Sequence, residues 1–67
     1  MFNKMKMREL RESKKISVAR LAEKVGCSDA FISYLENGKK EPTARTLFFL
    51  AKALNCTMDD LYTEEQE

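Results

Sequence analysis

Histidine is absent from this chain of 67 residues, and glycine, proline and cysteine are scarce at two, one and two. Without histidine no zinc ligand set of the usual kind can be completed. Cys27 and Cys56 are too few and too far apart for a CxxC metal or redox pair. Each stands directly before a Ser or Thr, where a small apolar residue fits, and both read as packing residues. There is no Gly-rich phosphate loop, no pair of catalytic acids and no nucleophile–base set, so no enzyme is expected. Nothing implies a cofactor, a metal or a small-molecule ligand. No apolar run approaches the ~20 residues of a membrane span, and no signal-peptide core is present, which leads to the expectation of a soluble, cytoplasmic chain with no membrane partner. Strand-like alternation, linkers and long repeats are also missing. The expectation is one all-α domain over residues 1–67, ending in an acidic tail at 63–67.

The apolar share of 43% suffices for a globular core, and 34% charged residues lies above the usual share of about a quarter. At this length a folded chain buries only about 60% of its unfolded surface, so the core is thin. A net charge of +1 hides an asymmetry: residues 1–40 hold ten Lys/Arg and five Asp/Glu, a balance of +5, while residues 41–67 hold two and six, a balance of −4. Such a split fits a polyanion-facing half and a half that faces elsewhere.

The most informative stretch is 17–38, SVARLAEKVGCSDAFISYLENG. Val18, Leu21, Ala22 and Val25 recur at helical spacing and define one apolar face. Ser17 precedes them as an N-cap, and Gly26 follows, supplying the positive φ that ends a helix. Ser28 caps a second helix over 29–37, which Gly38 terminates. Phe31, Ile32 and Leu35 form its apolar stripe, with Asp29, Ala30, Ser33, Tyr34 and Asn37 on the other side. A short helix with small and polar outward residues, held at an angle by its neighbour, is what a DNA major groove admits.

Upstream, residues 3–15 read as a helix capped by Asn3, with Met7 and Leu10 inward and Lys14 and Lys15 suiting the C-terminal dipole. Met1, Met5 and Met7 read as flexible core filler, and Ile16 packs inward before Ser17. Downstream, Lys39-Lys40-Glu41-Pro42 is a loop, because Pro42 drives Glu41 out of helical geometry. Thr43 caps a helix whose Ala44, Leu47, Leu50, Ala51 and Leu54 share one face and which Asn55 can end in left-handed geometry. Thr57 and Asp60 approximate a capping box on a last short helix, with Leu61 inward.

From Met7 to Tyr62 the chain resembles the Cro/lambda-repressor-like (XRE-type) helix-turn-helix domains. The resemblance rests on Leu10-Arg11, Ser17 to Val25 with Leu21-Ala22, Gly26, Ser28, Ile32-Ser33, Leu35-Glu36-Asn37-Gly38, Pro42, Thr46-Leu47, Ala51 to Leu54, and Leu61. It implies a compact five-helix DNA-binding domain and a transcriptional regulator, a repressor in the first instance, acting as a homodimer on a palindromic operator. In this family the second helix of the motif lies in the major groove of double-stranded DNA, and half-sites lie about one turn, ~34 Å, apart.

Carried over by position, the resemblance implies that Ser28, Asp29, Ala30, Ser33 and Tyr34 face the bases. Ser17 and Val18 begin the helix whose free N–H groups point at a phosphate. Asn37, Lys39 and Lys40 touch the DNA backbone. Arg11 and Glu36 match a family ion pair linking the first helix to the end of the recognition helix, the alternative being two solvated charges. Val18 stands where the family often has Gln, and Arg20 where Glu often closes a capping box. Asp29 puts a carboxylate on the DNA-facing helix, either to accept from a cytosine N4 amine or to favour the helix N-terminus. No long amide or Arg occupies the base-facing positions, so each half-site gains little discrimination alone.

One copy of so small a domain reads few base pairs, which leads to the expectation of a homodimer through the acidic C-terminal half. Phe49 falls nearly opposite the core face set by Leu47 and Leu50, with Phe48 at its edge. Phe49 with Met58 and Tyr62 forms the candidate dimer patch, the alternative being an isolated or tail-covered aromatic. The rival to DNA binding is a protein-interaction module on the same fold, an antitoxin or an adaptor.

Overall fold

Among the described residues, five polar side chains open five helices. Asn3 accepts from the Lys6 N–H at 2.9 Å, Ser17 from Arg20 at 3.0 Å, Ser28 from Phe31 at 3.1 Å, Thr43 from Thr46 at 3.2 Å and Thr57 from Asp60 at 3.1 Å. Each bond satisfies a first-turn donor that the helix itself leaves orphaned, and each is worth about 1 kcal/mol. The helices they start are α1 (Lys4–Ser13), α2 (Val18–Val25), α3 (Asp29–Glu36), α4 (Ala44–Leu54) and α5 (Met58–Leu61). At α5 the Asp60 carboxylate also accepts from the Thr57 N–H at 3.0 Å, completing the capping box. Those bonds to Thr57 hold the Asp60 carboxyl below its ordinary pKa. The computed structural model describes residues 1–62; the expected acidic tail, 63–67, lies outside the described residues. The all-α, five-helix expectation holds.

The helices stop by one repeated device. After α1, α2 and α4 a residue turns into the left-handed region: Lys15 (φ 58°), Gly26 (φ 87°) and Asn55 (φ 56°). The next residue's N–H then reaches back to a carbonyl in the last turn, Ile16 to Arg11, Cys27 to Ala22 and Cys56 to Ala51, at 2.9–3.0 Å. These are Schellman closures, which favour an apolar residue at that reaching position. Ile16, Cys27 and Cys56 fill it, and all three pack against the core. A Ser or Thr cap follows at once, so left-handed residue, apolar residue and cap make up the whole of the α2–α3 and α4–α5 junctions, and with Lys14 ahead of them the α1–α2 junction. The exit from α3 differs. Gly38 (φ 77°) turns the chain, but Lys39 takes the reaching position and a loop runs on to Thr43.

α2 packs on α3 and α4, α1 bridges α3 and α5, and α4 lies against α5. Their shared interior comprises Met7, Leu21, Ala22, Ile32, Leu35, Leu47, Leu50, Ala51, Leu54 and Leu61, joined by Phe2. Phe2 is 7% exposed and sits ahead of the first helix, in an antiparallel bridge to Tyr62. The Asn3 N–H donates to the Leu61 carbonyl at 2.7 Å, so the segment before α1 is tied to the end of α5.

Three expectations need correction. Of the methionines expected as core filler, Met7 alone is buried; Met5 is 76% and Met1 53% exposed, because Met5 falls on the outer face of α1 and Met1 precedes the bridge. Ala44 does not share the buried face of α4: it is exposed at the first position of the helix, and burial on that face begins at Leu47. α1 ends at Ser13 rather than Lys15, the chain being drawn inward by Ile16 once Lys15 has turned.

Candidate nucleic-acid interface

α2 and α3 are joined by Gly26-Cys27-Ser28, and a Cβ added at Gly26 would meet nothing within 4 Å. The glycine is required there for its φ and not for space. This turn fixes α3 against α2, with Ile32 and Leu35 buried and Phe31 and Cys27 packed at the margin. Burial pushes the Cys27 thiol up, with Asp29 adding to the shift; Cys56 is raised likewise by burial and then by Asp60. Both stay thiols at neutral pH, in keeping with packing roles.

The opposite face of α3 is open. Ser28, Asp29, Ala30 and Asn37 are exposed, Tyr34 is 41% exposed and Ser33 is half-buried. The Ser28 hydroxyl oxygen is engaged by the Phe31 N–H. At the start of α2, Ser17 is exposed and caps Arg20, which leaves the Val18 and Ala19 N–H groups without an intrahelical acceptor. The Val18 side chain is half-buried and leans on the core, so only its backbone faces outward. Arg20 adds less positive charge than its sequence position suggests, because its guanidinium pairs with Glu23 at 3.1 Å.

Beyond α3 the Tyr34 carbonyl accepts from the N–H groups of both Lys39 (2.9 Å) and Lys40 (3.4 Å). The loop backbone is therefore held against the last turn of α3 while both lysine side chains stay exposed. Neither ammonium lies within ion-pair distance of a carboxylate among the described residues, whereas Arg8, Arg11 and Arg20 each have one.

Arg11 and Glu36 hold this face at its angle. The Arg11 Nε donates to Glu36 at 2.6 Å and Nη2 donates to its other oxygen at 3.2 Å, while Nη1 donates to the Ile16 carbonyl at 2.8 Å. Their side chains are 12% and 7% exposed. The hydrogen bond to Glu36 raises the Arg11 pKa further above its already high value. One guanidinium thus joins α1, the α1–α2 junction and the end of α3. No buried side-chain polar atom among the described residues lacks a partner.

The candidate dimer residues are dispersed. Phe49 is 36% exposed, and its ring partners are Phe48, edge-on at 5.6 Å, and the Arg45 guanidinium at 5.8 Å. Phe48 is the more exposed of the two at 48%, with the Lys52 ammonium 5.7 Å from its ring. Helical spacing puts Phe48 at the edge of the core face, but the core beneath α4 does not extend round to it. Met58 is half-buried and packed on the core, and Tyr62 is 53% exposed at the bridge to Phe2. The outer face of α4 is therefore aromatic fringed by cations, and the acidic groups sit on α5.

A helix-turn-helix family profile matches residues 7–61, which contain α2, α3, the Arg11–Glu36 pair and the loop with Lys39 and Lys40. The chain belongs to the helix-turn-helix family. An uncharacterised HTH-type transcriptional regulator of Mycobacterium tuberculosis is 38% identical over 56 residues, 84% of this chain and 40% of that protein. The chain thus spans about two fifths of the length of this mycobacterial relative. Among solved structures, the P22 c2 repressor in complex with a synthetic operator aligns with a TM-score of 0.82 at 36% identity, over 88% of this chain and 89% of that one. The restriction-modification controller protein C.AhdI of Aeromonas hydrophila aligns with a TM-score of 0.84 at 27% identity, over 88% and 89%. No helix among the described residues is long and apolar enough to cross a membrane, and no cluster of His, Cys, Asp and Glu among them is arranged to hold a metal ion.

Proposed function

We propose that this helix-turn-helix domain is a sequence-specific, double-stranded DNA-binding regulator of transcription, a repressor that acts as a homodimer on a palindromic operator. The observation that carries the reading is the outward face of α3, polar, unobstructed and flanked by two lysines with no carboxylate partner among the described residues. The operator complex of the related P22 c2 repressor supports it. α3 enters the major groove and presents Ser28, Asp29, Ala30, Ser33 and Tyr34 to the base edges. Serine bonds to several bases, alanine meets a thymine methyl, and Tyr34 reaches a base or a phosphate. The free N–H groups at the start of α2 bind a phosphate, and Asn37, Lys39 and Lys40 bind the backbone beyond α3. Recognition proceeds without chemistry, by electrostatic attraction first and base contacts second.

Replacing Lys39 and Lys40 together by alanine is expected to weaken binding to all duplexes alike. The slope of log affinity against log salt should become shallower by about 0.9 for each phosphate that is no longer neutralised. Anisotropy titrations with mixed-sequence and pool-selected duplexes measure this. A changed preference among sequences at constant slope would falsify the phosphate role. No binding of the parent to any duplex at low salt would instead favour a protein-interaction module.

The homodimer reading rests on the exposed aromatic pair of α4, Phe48 and Phe49, and takes in the half-buried Met58 of α5 and the exposed Tyr62 after it. Phe49→Lys should convert a dimer to a monomer in light-scattering mass measurements at high concentration, without unfolding. A parent already monomeric under those conditions rules the patch out as an interface.

A further inference from the structure

We propose that Lys4, in the first turn of α1, is a third phosphate-binding lysine, joining Lys39 and Lys40 in one basic cluster around the exit of α3. The inference rests on the DNA-binding reading above and extends it to a helix outside the motif.

Gly38 reveals the placement. A Cβ built there would lie 3.1 Å from Lys4 Nζ, 3.2 Å from Cδ and 3.4 Å from Cε. The lysine stem is therefore laid across the Gly38 backbone, and its ammonium ends beside the turn that leads into Lys39 and Lys40. Those two residues are fixed in turn by their N–H bonds to the Tyr34 carbonyl. The missing side chain of the glycine thus serves two purposes, the φ of 77° and the seat for a side chain from another helix.

The neighbouring carboxylates do not neutralise Lys4. Glu36 is taken by Arg11, Glu12 by Arg8, and Glu9 lies 3.9 Å from Lys6. Lys4 itself is exposed and has no ion pair among the described residues. An unpaired cation whose stem already rests on a rigid turn surrenders less freedom on binding a phosphate than a lysine loose in solvent. The competing account is purely structural: an ammonium at the C-terminal end of α3 complements the helix dipole there. That account predicts an effect on stability and none on DNA.

Lys4→Gln and Lys4→Arg separate the two. Binding of a mixed-sequence duplex and of a pool-selected duplex is followed by anisotropy across a salt series, with thermal melting of each variant alongside. In Lys4→Gln the salt slope should become shallower by about 0.9, giving about eightfold weaker binding at 0.1 M salt relative to the 1 M extrapolation. Both duplexes should lose affinity equally, Lys4→Arg should keep the parent slope, and the melting temperature should stay put. A Lys4→Gln slope equal to the parent's overturns the proposal, and a lowered melting temperature with that same slope assigns Lys4 to helix capping instead. Should the parent itself bind neither duplex at low salt, the DNA-binding reading falls and the Lys4 role falls with it.

Discussion

Replacing Glu36 by alanine is expected to destabilise the domain by about 3 kcal/mol, since removing one member of a buried ion pair leaves the other charge unmatched. For a chain of this size that corresponds to a melting temperature lower by roughly 12–24 °C. The cost arises at Arg11, which is only 12% exposed and whose two bonds to Glu36 would be replaced only by the exposed Glu12 carboxylate, 3.9 Å from Nη2 and already bonded to Arg8. Its remaining bond, to the Ile16 carbonyl, would hold the guanidinium in place and so keep the unmatched charge inside. Glu36→Gln should cost less, because an amide oxygen still accepts one bond. The consequence reaches the candidate interface. Glu36 is the last residue of α3, and loosening it frees the helix to tilt against α1. Thermal denaturation of the two variants decides the matter. A Glu36→Ala melting temperature within about 3 °C of the parent, roughly what an exposed pair is worth, would show the pair to be inert.

Phe2→Ala is expected to cost a similar amount, about 3 kcal/mol, at the lower end of what deleting a buried phenyl ring costs. Phe2 is 7% exposed within a core of eleven buried apolar residues among the described ones. The lower end applies because a segment outside any helix regains conformational freedom when released. For a domain whose whole stability is on the order of 3–10 kcal/mol, one ring ahead of the first helix then supports a large share of the fold. Phe2→Leu should recover most of the loss by refilling the site. Urea denaturation gives the answer, and a Phe2→Ala midpoint indistinguishable from the parent's would mean that the bridge to Tyr62 forms without contributing.

How far these features are legible differs from residue to residue. The caps are readable, because Ser17, Ser28, Thr43 and Thr57 act on the residues immediately following, and the bond lies within three positions. Gly26 and Pro42 are readable for the same reason. Lys15 is not, although it adopts the same left-handed φ as Asn55. Lysine has no intrinsic preference for that region; it is held there because Ile16 gains burial and a bond to the Arg11 carbonyl. The signal present in the sequence is the apolar-then-hydroxyl pair, Ile16-Ser17, repeated as Cys27-Ser28 and Cys56-Thr57. The partnership of Arg11 with Glu36 entered through the family resemblance, as nothing in a separation of 25 residues implies it. Phe2 escapes a reading of the sequence because an aromatic with no periodic partner carries no helical or strand pattern. Lys4 escapes it because a lone lysine on an amphipathic helix looks like any solvated charge.

The chain's own pattern of caps, apolar spacing and left-handed punctuation determined that there would be five helices, where they begin, and that residues 17–38 would form a helix-turn-helix with a wet outer face. Those are local matters, decided by hydrogen bonds and burial within a few positions. Only the tertiary structure decided that Phe2 closes the core, that Arg11 anchors the end of α3, and that Lys4 crosses to Gly38. Each of these joins residues far apart in the chain, and the free energy that selects such contacts comes from packing surfaces that do not exist until the helices have met.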